Sequence, residues 1–337
     1  MNNIVIPEGY SSDLNIIETQ KAIKEIKDFF ETNLANELNL TRVSAPLFVK
    51  KNTGINDNLS GTESPVSFSL SETENFEQLE IVQSLAKWKR IALKNYEISV
   101  GEGIYTDMNA IRPCETLDNI HSIYVDQWDW ERVIKNEDRN EKFLTDIVKK
   151  IFNVFKRTDE YLSRRFLNYK KSLPEKVFFI STQELEDMFP NDTPKEREHK
   201  IARAKKAVFI TKIGNFLNSG NKHDTRSPDY DDWNLNGDLI FWNPILNSSL
   251  ELSSMGIRVN KEILLNQLKI SGNEDRKELN YHKMLLNDEL PFTIGGGIGQ
   301  SRICMFFLQK AHIGEVQSSF WPDEMLKICK ENKINLL

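Results

Sequence analysis

The chain has 337 residues, 39% of them hydrophobic, enough apolar material for one large core or two smaller ones. Lys and Arg number 44 against 50 Asp and Glu, and the net charge of −6 argues against a long phosphate backbone as main partner, so no nucleic acid is expected. No apolar run approaches the roughly 20 residues of a membrane span, Met1 to Tyr10 lacks the features of a signal peptide, and Cys114, Cys304 and Cys329 are too scattered for a disulfide framework or a zinc site, so a cytoplasmic protein with no membrane partner is expected.

From Ser12 to Leu38, Ile16, Ile23, Ile26, Phe30 and Leu34 recur at the spacing of an amphipathic helix, with Ser11 or Ser12 as its cap. Thr41 to Val49 is β-rich but contains Pro46, which cannot donate to a ladder; this is an edge strand or one that stops pairing there. Helix and strand together read either as a dimerisation unit or as an ordinary first helix packed on its own core. Lys50 to Glu74 is polar and rich in Asn and Gly, a loop, and composition alone leaves Asp57 within it a turn former. Glu80 to Leu93 starts extended and turns helical near Ser84, placing Lys87, Lys89 and Arg90 on about one turn, ordinarily a solvated face.

Ser99 to Glu115 leads into His121 to Glu131, where alternation sets Gln127, Asp129 and Glu131 on one side of a strand. That strand either passes from core into a wet cleft or lies at an edge with a solvent face. Glu141 to Phe166 is a helix with Phe143, Ile147, Ile151, Val154, Phe155, Tyr161 and Leu162 on one stripe, and two short strands, Val177 to Ser181 and Ala207 to Ile213, flank a charged helix from Lys195 to Lys206. Asn218 to Gly237 is polar and reads as a lid, with Asp229, Asp231 and Asp232 solvated. Asp238 to Leu246 and Leu250 to Val259 read as antiparallel strands in which Glu251, Ser253 and Met255 share a face. If Asp238 meets Glu251 across the pair, the two offer hard oxygen ligands for Mg²⁺. Helices follow at Lys261 to Leu268 and Asp275 to Leu286. No linker divides the chain, so 1–337 reads as a single α+β domain with a largely antiparallel sheet.

Thr293 to Leu308 concentrates the chemistry. A β-branched pair leads into Gly295, Gly296, Gly297 and Gly299, then Arg302, then an apolar helix. Glycines let a planar ligand or another backbone lie directly on the main chain, and Arg302 can offer a guanidinium fork to phosphate or carboxylate. Gln300 breaks a dinucleotide fingerprint, and no Gly-Lys-Ser/Thr is present.

Taken in order, these stretches resemble the three motifs of the class II aminoacyl-tRNA synthetase core: the first helix with Pro46, Arg112-Pro-Cys-Glu115 with the strand to Glu131, and Gly295 to Leu308. Among relatives of that core the chain is most similar to the ammonia-dependent aspartate–ammonia ligases, the asparagine synthetase A family. That similarity rests on Asp57-Asn-Leu-Ser-Gly61, Ser84 to Arg90, Tyr124 to Arg132, Pro228 to Trp233, Glu251 to Arg258 and Gly295 to Arg302. Between Trp233 and Gly237 the chain is shorter than expected of the family, which puts the lid's length in doubt.

The resemblance implies synthesis of asparagine from aspartate, ammonia and ATP through β-aspartyl-AMP, in a cytoplasmic homodimer using Mg²⁺. By the same resemblance Arg112 serves the α-phosphate and the attacking carboxylate, Arg302 the far end of the nucleotide, and Asp238 and Glu251 the metal. Asp57, Gln127 and Asp129 are candidates for the aspartate ammonium, Lys89 and Arg258 for its α-carboxylate, and Asp57 or Asp231 for taking a proton from ammonium. Ser84, Ser122, Ser253 and Ser254 supply neutral hydrogen bonds, and Gly297 lies along the nucleotide. An anticodon-binding domain of roughly 100 residues has no room beside these motifs, and position 2 is Asn where a glutamine-using enzyme would need a cysteine, so free ammonia is the expected nitrogen source. Two rival readings are a synthetase paralogue that adenylates an amino acid for another acceptor and a regulatory subunit without turnover.

Overall fold

A computed structural model describes residues 4–57, 59, 63–71, 77–166, 169 and 171–337. The first helix, α1, runs Ile16–Leu38, and its cap is Asn15 rather than Ser11 or Ser12. Asn15 accepts from the Glu18 amide at 3.0 Å and Glu18 accepts from the Asn15 amide at 2.9 Å, a reciprocal pair that a serine three residues earlier cannot form. The chain then forms β1 (Leu40–Arg42), β2 (Phe48–Lys50), β3 (Ser67–Ser69), β4 (Gln78–Ile81), α2 (Ala86–Asn95), β5 (Gly103–Ile111) and β6 (Tyr124–Val133). Next come α3 (Glu141–Arg165), β7 (Phe178–Ser181), α4 (Thr182–Met188), α5 (Pro194–Lys205), β8 (Ala207–Thr211), β9 (Asp231–Asn243) and β10 (Ser248–Arg258). The last elements are α6 (Lys261–Ser271), α7 (Asn280–Leu286), β11 (Thr293–Gly299), α8 (Gln300–Phe307) and α9 (Asp323–Glu331).

Eight strands make one sheet in the order β1-β5-β6-β11-β10-β9-β8-β7, antiparallel except for the parallel pairs β1–β5 and β7–β8 at its two ends. Pro46 falls after the edge strand β1 has ended, as its missing N–H requires. The expected loop from Lys50 to Glu74 also holds β3, which joins β2 and β4 in a small second sheet. The helix expected over Asp275 to Leu286 is a short 3₁₀ turn at Glu274–Glu278 followed by α7. Helix α4 was not expected, although Ser181 and Glu184 form its capping box in plain view.

The two faces of the large sheet differ. On one, α1, α3 and α8 bury a continuous core that includes Phe30, Trp128, Phe155, Phe241, Met255 and Phe307. Phe30 stacks on Trp128 with ring centroids 5.0 Å apart. On the other, smaller apolar clusters around α5, around α6 and α7, and beneath α2 leave a polar hollow between them. Among the described residues no helix is long and apolar enough to cross a membrane.

Candidate active site

The polar face holds two adjoining cavities, of about 290 and 200 Å³. Asp57, Ser84, Asp129, Asp231, Ser254 and Arg258 line the first, and Ser122, Asp126, Ser253 and Arg302 the second. Arg112, Gln127, Glu251 and Gly297 line both and mark the junction. A larger hollow, of about 590 Å³ between the N-terminal segment and the end of α3, contains none of these residues.

Side-chain alternation on β6 places Gln127, Asp129 and Glu131 on the cavity face while Trp128 and Trp130 enter the core. Of that row only Gln127 and Asp129 reach the cavities; Glu131 is wholly buried behind β11. There Arg258 donates to Glu131 from Nε at 2.9 Å and from a terminal nitrogen at 2.7 Å, and Thr293 donates at 2.7 Å. Arg258 also pairs with Asp231. Burial pushes the Asp231 carboxyl up; Glu131, buried as deeply, is held below the usual range because Arg258, Lys89 and Thr293 together outweigh its desolvation. This close packing explains the glycines of β11. A Cβ at Gly295 would lie 2.0 Å from the Glu131 carboxylate and one at Gly297 would lie 2.3 Å from the Gln127 amide oxygen. Both have ordinary strand backbone, so they serve close approach rather than a turn.

Asp57 is 1% exposed, and among the described residues neither carboxylate oxygen has a hydrogen-bond partner. Burial pushes it up to about 6, with nearby Asp229 adding to the rise and Lys87 and Arg112 opposing it. Of its motif, Asn58, Ser60 and Gly61 lie outside the described residues. Arg112 donates to the Gln83 carbonyl at 3.2 Å, but its Nε is buried without a partner among the described residues. Arg302, in the first turn of α8, donates to the Glu251 carbonyl at 3.0 Å. Asp126 holds that turn in place, accepting from the Ser301 amide at 3.0 Å and hydroxyl at 2.8 Å. Ser253 donates to the Gly297 carbonyl at 2.9 Å, and Ser122 shares a hydrogen bond with Ser319 at 2.8 Å.

Asp238 and Glu251 do not sit directly across from one another. The register shifts between Glu251 and Ser253, so Glu251 faces Ile240 while Asp238 faces Ser254. The extra residue breaks the face expected for Glu251, Ser253 and Met255: Met255 packs in the core, and Ser254 reaches the first cavity with Glu251. Asp238 and Glu251 still feel each other diagonally. Burial, reinforced by Glu251 and opposed by Arg226, pushes Asp238 up to about 7. Burial raises Glu251 too, but Arg302, Arg226 and Lys195 hold it below the usual carboxylate range. Asp238 Oδ1 is buried without a partner among the described residues, and a bare oxygen beside a second carboxylate is a donor set that suits a hard divalent cation.

Three expectations are corrected here. Lys87, Lys89 and Arg90 are buried rather than solvated, because α2 lies against β6 and β11. Lys89 lines neither cavity: it pairs with Asp129 and donates to the Trp130 and Gly296 carbonyls at 3.0 and 3.3 Å. The expected lid over Asn218 to Gly237 becomes strand from Asp231 onward, and Asp229, Asp231 and Asp232 are all buried. Arg226, Ser227 and Tyr230, which also line the first cavity, were not singled out in the sequence. Their signal was adjacency: Arg226 and Ser227 immediately precede the Pro228 to Trp233 stretch that carries the resemblance.

The aspartate-ammonia ligase (AsnA) family model matches residues 17–333. The aspartate–ammonia ligase of Clostridium tetani is 62% identical over 334 residues, covering 99% of this chain and 98% of the relative. That of Ruminiclostridium cellulolyticum is 60% identical over the full length of both. Among solved structures, asparaginyl-tRNA synthetase from Pyrococcus horikoshii complexed with asparaginyl-adenylate superposes with a TM-score of 0.62 at 13% identity, covering 90% of this chain and 70% of that one. The Entamoeba histolytica asparaginyl-tRNA synthetase with asparaginyl-adenylate gives 0.60 at 14% identity, over 90% of this chain and 66% of that one. These likenesses carry the fold alone, the class II synthetase core in its α+β form.

Proposed function

The chain belongs to the aspartate–ammonia ligase family, and from that premise we propose how its two cavities divide one reaction. The enzyme makes asparagine from aspartate and ammonia. Aspartate occupies the first cavity and ATP the second, and the β-carboxylate attacks the α-phosphate at the junction to give β-aspartyl-AMP and pyrophosphate. The observation that carries this reading is that Arg112, with an unpartnered Nε, lies on the wall common to both cavities. A cation there neutralises charge that builds on the phosphate as the bond forms.

Arg302 takes the distal phosphates, and Ser122, Ser253 and Gly297 frame the nucleotide. Arg258 receives the α-carboxylate of aspartate, Gln127 and Asp129 its ammonium, and Ser84, Asp231 and Ser254 complete the wall. Lys89 acts one step back by orienting Asp129. Asp238 and Glu251 would hold Mg²⁺, which when bound offsets phosphate charge. Asp57, bare and beside the same cavity, takes a proton from ammonium. We further propose that residues 1–337 form one catalytic domain, that the protein is cytoplasmic, and that it is a homodimer. The exposed apolar side chains Ile17 on α1 and Phe48 and Phe68 on the small sheet favour an interface there, which sedimentation velocity would test.

The deciding experiment incubates the protein with ATP, Mg²⁺, aspartate and either ammonium or glutamine, and quantifies asparagine, AMP and pyrophosphate. Asparagine and AMP in equal amounts, with ammonium strongly preferred, is expected. AMP without asparagine would point to another acceptor, and no turnover to a regulatory role.

A further inference from the structure

Behind Asp57 lies a charged cluster that the reaction as described does not use. Asp229 is wholly buried. Its Oδ2 receives the Lys87 ammonium at 3.3 Å, an Arg276 nitrogen at 3.0 Å and His282 Nε2 at 2.9 Å, and its Oδ1 accepts from the Ser227 hydroxyl at 2.7 Å. Lys87 is 3% exposed and His282 0%. Neither Lys87 nor Asp229 lines the two cavities; both face a separate hollow of about 310 Å³, lined also by Asn56, Arg276 and His282. The Ser227 hydroxyl lies beside Asp57 but is committed to Asp229, which leaves the Asp57 carboxylate bare.

We propose that Lys87 and Asp229 are positioning residues for the ammonia-consuming half of the reaction, an opposed pair outside the substrate cavity that sets how tightly Asp57 holds a proton. The proposal rests on the reading of Asp57 as the group that receives that proton. When the nitrogen enters as ammonium, one N–H bond breaks and its proton passes to Asp57. The freed lone pair attacks the β-carbonyl carbon, the C–O bond to phosphate breaks with its electrons leaving on AMP, and a second proton passes from the nitrogen to the departing AMP phosphate as the amide forms. Too weak a base leaves ammonium intact, and too strong a one stays protonated at working pH.

The surroundings of Asp57 make these two groups the natural controls. Lys87 from α2 and Arg112 beyond β5 act to lower its proton affinity, and Asp229 acts to raise it. Tyr230, the neighbour of Asp229 in the chain, also faces it. The remaining charged groups on the cavity wall are Glu63, Asp129, Asp224 and Arg226, with Asp231, Glu251 and Arg258 beyond them. Arg112 is engaged at the junction with the adenylate, whereas Lys87 and Asp229 are free of substrate and act only through their charge. Arg276 and His282 keep Asp229 anionic and anchored, so the pair is set against Asp57 from one side.

The test measures the acidic limb of ammonium-dependent asparagine formation beside ATP–pyrophosphate exchange, which needs no ammonia. Lys87→Gln removes a positive neighbour, so the limb should move to higher pH by roughly one unit; Asp229→Asn removes a negative one and should move it to lower pH. Exchange should keep the wild-type pH profile in both. Hydroxylamine, uncharged at neutral pH, should form the hydroxamate without the shift. A limb that stays put in Lys87→Gln, shifts in the same direction for both variants, or exchange that falls in step with asparagine formation would overturn the proposal. Asp229→Asn strands buried cations and is at risk of misfolding; Lys87→Gln leaves Asp229 its Arg276 and His282 partners and decides the matter alone. Asp57→Asn separates the two layers of inference: asparagine formed from ammonium at an undiminished rate in that variant would remove the base itself, whatever Lys87 does.

Discussion

The two faces of the eight-stranded sheet are built to opposite rules. Beneath it, Phe30, Phe155 and Phe241 are fully buried, interlocked and in need of no hydrogen-bond partner. Above it, Asp57, Gln83, Arg112 and Asp238 carry buried polar atoms with no partner among the described residues. An unsatisfied buried polar atom costs about 1–3 kcal/mol, so the upper face is held in an unfavourable state that the lower face sustains. Stability and chemistry are separated by the thickness of one sheet, and strand alternation does the separating.

That separation can be broken from either side. The largest expected effect is on the upper face: Arg112→Ala and Arg302→Ala should each slow pyrophosphate exchange by about 10²–10³-fold with the urea midpoint unmoved, and near wild-type exchange in either would remove that arginine from the site. On the lower face, Phe30→Ala should cost about 3–5 kcal/mol of stability in urea denaturation while activity per folded molecule stays unchanged. A proportionate loss of kcat would show that the faces are coupled.

Asp57→Asn should act with the opposite sign on stability. The folded carboxyl keeps its proton up to about 6 against an ordinary 3.8, so the native state binds more protons than the unfolded chain in between, and folding weakens as pH rises through that window. The variant should therefore be more stable than wild type above pH 6, by about 1–3 kcal/mol, and no more stable below pH 4, as ligand-free thermal melts at the two pH values would reveal. The smallest effect expected is Gly297→Ala. Its Cβ meets only the end of the Gln127 side chain, so a several-fold rise in KM with little loss of stability should result. Gly237→Ala, whose Cβ would lie 2.3 Å from the Ile210 carbonyl, should fail to fold, and purified yield compares the two directly.

Much of this was legible in the chain. The helical stripe of α3, the alternation on β6 and the pairing of β9 with β10 follow from the residue patterns, because the helix buries one stripe and strand side chains alternate between two faces of different polarity. Most of the site residues could be nominated from the family motifs, and Asp57, Arg112, Gln127, Asp129, Glu251 and Arg302 do converge on the two cavities. What escaped was burial of charge. Lys87, Lys89, Asp229 and Asp231 look like solvated residues one at a time, and only the long-range pairings Lys87–Asp229, Lys89–Asp129 and Arg258–Asp231 let them go inside. Such pairings join residues from 27 to 142 positions apart, beyond any local spacing rule.

The register shift in β10 has a consequence of a different kind. Because β10 carries one residue more than β9 between Glu251 and Ser253, Glu251 and Ser254 both face the cavities although three positions separate them. Inserting one residue into the regularly paired run Ser253–Gly256 would conserve every functional side chain, yet it would reverse the outlook of each residue on one side of the insertion relative to the other. Here the count of residues is itself inherited information. Substitutions along this strand can be tolerated one by one, while a single-codon insertion rewrites the site without changing any of its members.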